Sequence, residues 1–111
     1  DNSVMLAEAV PEGSLFRFSM PPDFDVIDKV LESTRISKEK EMPDADVLMV
    51  FSCVGRLGTF GPLISTEIEG LASTWGKPMI GYFSLGEFGK LDEGRCEFQG
   101  TTVSWVALKE K

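Results

Sequence analysis

The chain contains no histidine, and that one absence removes a large part of protein chemistry. A Ser-His-Asp triad, a Cys-His dyad and a His-ligated metal site are all impossible within it. Cysteine is almost as scarce, with Cys53 and Cys96 the two present. Their contexts are too different to suggest a disulfide framework, and their wide separation makes no structural zinc site. Both are read as free thiols of a reducing cytosol, far apart in the fold. No apolar run approaches the roughly 20 residues that span a bilayer. Positive charge is in the minority, 11 Lys and Arg against 18 Asp and Glu, and the net charge of −7 opposes phosphate backbones and anionic lipid. Nucleic acid and membrane surfaces are therefore poor partners. The opening residues, Asp-Asn-Ser-Val, have neither an initiator Met nor a basic leader and read as the cut edge of a larger chain. No metal or cofactor is implied, and without a histidine base the reading is of a non-enzyme.

What is present is organised around Ala45–Gly58. Val47–Phe51 are five consecutive large apolar residues, too few for a membrane span and too unbroken for a half-exposed strand. They read as a central strand covered on both faces, with Leu48 and Val50 on one side and Val47, Met49 and Phe51 on the other. Upstream, Val4–Val10 and the alternating Leu15–Ser19 flank the turn Pro11-Glu12-Gly13-Ser14, which predicts a hairpin. Pro21-Pro22 ends it. Asp23 is an N-cap candidate for a helix with Phe24, Ile27, Val30 and Leu31 inward, running on through polar Ser33–Glu41 to a stop at Met42-Pro43. Downstream, Pro62 opens a second helix whose buried stripe is Ile64, Ile68, Leu71, Ala72 and Trp75, with Gly76 as its C′ residue. Met79–Ser84 is a second buried strand, parallel to the first through a right-handed crossover. Gly89–Gly100 reads as a long polar turn, and Thr101–Leu108 as a last strand returning antiparallel to Met79–Ser84. The 111 residues make one domain able to bury about two-thirds of its unfolded surface. The expected fold is α/β, with α+β as the alternative: a mixed sheet of about five strands with two helices, in the order ββαβαββ.

Each buried strand ends in a small-residue turn. The first carries Ser52, Cys53 and Arg56, the second Ser84, Gly86 and Glu87. Parallel strands place such turns at the same sheet edge, where open α/β sheets bind ligands. Arg56 offers a planar fork for a carboxylate, or it pairs with a nearby acid as a structural residue. Glu87 could receive an ammonium, or pin its own turn through backbone N–H groups. Cys53 could be activated at a helix N-terminus, or serve as a small buried hydrophobe. Ser52, Ser84 and the Gly86 backbone would add hydrogen bonds. Thr66 and Glu67 lie off the helix stripe and read as solvated. Trp75 and Trp105 read as packing aromatics, Trp105 with the alternative of an interface.

Phe51-Ser-Cys-Val-Gly-Arg56, a helix, Gly81-Tyr-Phe-Ser-Leu-Gly-Glu87 and a closing Thr101-Thr102 strand together resemble the C-terminal FIST domain (F-box and intracellular signal transduction). The early Val-Pro-Glu-Gly-Ser14 followed by Phe-Arg-Phe belongs to the same resemblance. It implies a cytoplasmic sensory module tied to histidine kinases, chemotaxis receptors or cyclic-dinucleotide enzymes in bacteria, or to F-box regions in eukaryotes. The ligand implied is small, with amino acids as candidates. The partners implied are an N-terminal FIST portion, absent from this sequence, and signalling output domains. A protein-interaction or scaffold module, in an F-box or other multidomain setting, is the alternative.

Overall fold

The computed structural model describes residues 3–6, 9–18, 23, 25–90 and 94–111. The first regular element is helix α1, Asp25–Lys40, entered through a bond from the Val26 N–H to the Asp23 carbonyl, 3.0 Å. Asp25 and Asp28 sit in its first turn and Lys38 and Lys40 in its last, the charge order the helix dipole favours. Ile27, Val30, Leu31 and Thr34 make the inward stripe, and Thr34 satisfies its buried hydroxyl on the Val30 carbonyl at 2.8 Å. The helix continues through its polar second half because Lys38 reaches the neighbouring helix. Its ammonium donates to the carbonyls of Thr74 and Trp75, 2.8 and 3.2 Å away.

Strand β1, Val47–Cys53, is central, as its composition predicts. Strand β2, Met79–Ser84, lies parallel on one side, with Val50 opposite Gly81. Strand β5, Val103–Leu108, lies antiparallel on the other, with Val50 opposite Trp105. The last strand therefore pairs with β1 and not with Met79–Ser84. Between β1 and β2 run the short helix α2, Val54–Phe60, a single 3-10 turn, Gly61–Leu63, carrying Pro62, and helix α3, Ile64–Trp75. Helix α3 ends at Gly76, whose φ of 60° and bond to the Ala72 carbonyl make it the left-handed cap expected there. Helices α1 and α3 cross closely, since a Cβ at Gly70 would fall on the Leu31 side chain.

One face of the sheet is covered and the other is not. Leu48 and Val50 join Ala45, Leu71 and Trp75 in the buried core, with Val30, Leu31, Met79 and Trp105 packed around it. Val47, Met49 and Phe51 on the opposite face are only half-buried, so the expectation of cover on both faces fails. Both long helices lie on the Leu48 side. Strand β2 is likewise an exposed edge strand and not a buried one, with Ile80 and Tyr82 each 65% exposed.

The α/β class and the five strands hold, but two strands are not the ones expected. Val4–Val10 and Leu15–Ser19 contain no strand among their described residues, and Leu15, Phe16 and Phe18 are exposed. The turn between them does form, with Gly13 at φ 83° and Ser14 bonded to Pro11. A two-stranded hairpin with no third strand or helix to cover it is marginal, which explains a turn without its ladder. Pro21, Pro22, Phe24 and three residues of the expected strands (Ala7, Glu8 and Ser19) lie outside the described residues. The other two strands come from the segment read as a long turn. Glu87–Lys90 (β3) and Cys96–Gln99 (β4) pair antiparallel as a separate two-stranded sheet, with Phe88 opposite Phe98.

Candidate functional site

The ends of β1 and β2 emerge at the same sheet edge, and the closing segment before β5 crosses between them. Strand β1 passes into α2 without a loop, so Arg56 stands on a helix and not on an open Gly-rich turn. It is 3% exposed and its partner Glu67 is 0% exposed. Nε of Arg56 donates to Oε1 of Glu67 at 3.0 Å, and Nη2 donates to Oε2. The two groups meet as a fork on a carboxylate, the strong planar geometry of this pair. A third donor, Nη1, reaches the Thr101 carbonyl at 2.9 Å, and the guanidinium lies 4.9 Å from the Phe60 ring centroid. Glu67 is therefore a buried ionic partner, contrary to the expectation that it is solvated.

Arg56 holds a strained residue. Thr101, at φ 61°, is the one non-glycine positive-φ residue among those described, and a β-branched side chain there costs on the order of 1–3 kcal/mol. Gly55 lets the segment come close, since a Cβ on it would stand 3.2 Å from the Thr101 hydroxyl. The Cys53 N–H bonds the Thr102 carbonyl at 2.9 Å, anchoring the same segment to the end of β1. Cys53 is buried and free, and Cys96 is exposed and free.

This anchoring aims the Thr102 hydroxyl at Glu87. The Glu87 carboxylate, 6% exposed, accepts one hydrogen bond from Ser84 Oγ and one from Thr102 Oγ1. Among the described residues no cation accompanies it. Gly86 makes the turn at φ 123°, and a Cβ there would enter the Phe98 ring. A cavity of about 200 Å³ opens beside Glu87, lined also by Phe51, Tyr82, Ser84, Gly86 and Ser104. Phe51 and Tyr82 meet edge to face at 5.3 Å and form part of its wall.

The structure thus divides the six residues singled out in the sequence. Ser84, Gly86 and Glu87 surround one cavity on the open face of the sheet. Arg56 lies behind it, satisfied by Glu67 and connected to it through Thr101-Thr102. Cys53 is packed at the strand end. Ser52 shares the helix-covered side with Leu48 and Val50. Sequence reasoning missed Thr102 as a donor to Glu87, and Phe51 and Tyr82 as wall residues; the signal for the latter two is the register that sets Phe51 opposite both Tyr82 and Ser104, which no single strand reveals.

Among the described residues no cluster of acidic and cysteine side chains is placed to hold a metal ion. No helix among them is long and apolar enough to cross a membrane. No curated protein and no solved structure gives a significant match to the chain. The family model of the FIST C domain matches residues 1–90. By that match the chain belongs to the FIST C domain family, a family of signal-transduction sensory domains.

Proposed function

We propose that this domain is the ligand-sensing part of a larger cytoplasmic signalling protein, without enzymatic activity of its own. Its ligand on this reading is a small molecule bearing an ammonium group, with an amino acid as the leading candidate. The observation that carries the proposal is the Glu87 carboxylate, buried and met, among the described residues, by the neutral hydroxyls of Ser84 and Thr102 and by no cation. A buried carboxylate gains most from a cationic partner, and the adjoining cavity of about 200 Å³ gives such a partner room. Glu87 itself stands just past the carboxyl end of β2, the region where open α/β sheets take ligands. Ser84 and the Gly86 backbone complete the polar contacts. Arg56 acts on this reading as a positioning residue, holding Thr101 and so Thr102.

A second reading has its own observation. The open sheet face presents Ile80, Tyr82, Val106 and Leu108, all exposed, which suits a protein partner as in a scaffold module. The two readings meet if the N-terminal FIST portion covers this face and leaves the Glu87 cavity at the seam. The test is a library of amino acids and simple primary amines screened by melting temperature on the full-length protein. An amine that raises the melting temperature, with the rise lost in Glu87→Gln, supports the sensor. A rise that persists in Glu87→Gln, or none with any amine, overturns it and leaves the scaffold reading.

A further inference from the structure

We propose that a second cavity, on the opposite side of the sheet, binds a small uncharged molecule through the Ser52 hydroxyl. This site is independent of the Glu87 reading. The cavity, about 190 Å³, lies between the covered side of β1 and β2 and Ile68 of α3. Its walls are Val50, Ile68, Met79 and Phe83, with the bare backbone of Gly81. Gly81 is kept bare by geometry, because any Cβ there would run into the Val50 carbonyl. Among the described residues no charged side chain lines the space, so an ion there would lose hydration with nothing to replace it. That restricts the ligand to neutral molecules.

Ser52 is 2% exposed, and among the described residues its Oγ has no hydrogen-bond partner. A buried hydroxyl without a partner is destabilising, and an alanine in its place would pack without that cost. A water would be held poorly here, since it needs two to four polar neighbours and the cavity walls are mostly apolar. A ligand with an apolar body and one hydroxyl or carbonyl satisfies both features at once. The size follows from the volume: an apolar cavity of about 150 Å³ accepts benzene, so this one fits a single ring or a branched alkyl group with one polar atom attached.

Benzyl alcohol is the probe and toluene its partner lacking the hydroxyl, titrated into full-length protein labelled at isoleucine methyls. Ile68 reaches the cavity from α3, whereas the Ile80 side chain stands on the open face of the sheet, Ile27 and Ile64 belong to a separate core cluster and Ile36 to an exposed helix face. Benzyl alcohol should shift the Ile68 resonance and leave those of Ile27, Ile36, Ile64 and Ile80 in place. Ser52→Ala should weaken its binding about tenfold, the worth of one buried hydrogen bond, while leaving the melting temperature equal or higher. Toluene should bind the native protein no better than it binds Ser52→Ala. An unmoved Ile68 methyl overturns the proposal, as does equal benzyl alcohol affinity in Ser52→Ala. So does a lower melting temperature for Ser52→Ala, which would mean the hydroxyl is already held within the fold.

Discussion

Glu67 lies three residues after Ile64 and four before Leu71, so helical spacing places it in the middle of the buried stripe. The stripe drawn through Ile64, Ile68, Leu71, Ala72 and Trp75 left Glu67 off it and solvated, although a carboxylate at its true, buried position requires a buried cation. The cation is Arg56, which the sequence offered either as an open fork for a ligand carboxylate or as the structural partner of a nearby acid, and the second holds. Both signals were in the sequence, one in position and one in residue type, and only their pairing across α2 and α3 was hidden. Removing one member of such a pair strands the other, at a cost of about 3–5 kcal/mol. Arg56→Ala should therefore lower stability strongly with no ligand present, and Glu67→Gln should do so by a similar mechanism. The double change Arg56→Met with Glu67→Leu should be more stable than either single variant, because apolar replacement of a whole buried pair is often neutral. Urea unfolding of the four proteins checks this. A double variant no better than the singles would show that the Thr101 contact, and not the ion pair, dominates.

At the scale of elements, β1, β2, β5, α1 and α3 were legible from apolar runs, helical spacing and the Gly76 stop. What the runs did not carry was cover. Met79–Ser84 is as apolar as a buried strand, yet it forms the edge of a three-stranded sheet, because neighbours are decided by topology and not by composition. Helix α2 was hidden by Gly55 and Gly58, each costing about 1 kcal/mol against alanine in a helix. It forms because burial of Arg56 and Phe60 ties it down. The β3–β4 hairpin was hidden by its polar residues, and the N-terminal strands were overread because alternation alone supplies no partner. Gly81 offers the sharpest test at this scale. Its obstacle is backbone, the Val50 carbonyl, which has no rotamer to give. Gly81→Ala should destabilise by about 1–3 kcal/mol, as overpacking does, with hydrogen exchange accelerated first along β2. An unchanged melting temperature would mean that β2 shifts freely on β1.

For the whole molecule the unusual feature is asymmetry of cover. Helices α1 and α3 pack on the Leu48 side of the sheet, while Ile80, Tyr82, Val106 and Leu108 stay exposed on the other. Exposed apolar sheet faces and unpaired edge strands of this kind mark places where another chain or domain docks. The net charge of −7 adds that the partner surface should be apolar at its centre and basic at its rim. In isolation the same face should drive self-association, limited by that shared negative charge. Ile80→Lys places a cation on the edge strand of the open face without touching the core of Leu48, Val50, Leu71 and Trp75. Surface changes away from packed sites stay within about 0.5 kcal/mol, so its melting temperature should match the native value. Its sedimentation behaviour should not: a concentration-dependent increase in mass for the native domain should vanish in the variant. Loss of folding in Ile80→Lys would mean that β2 is covered in the native state. Monomeric behaviour of the native domain at every concentration would show that its open face needs no partner.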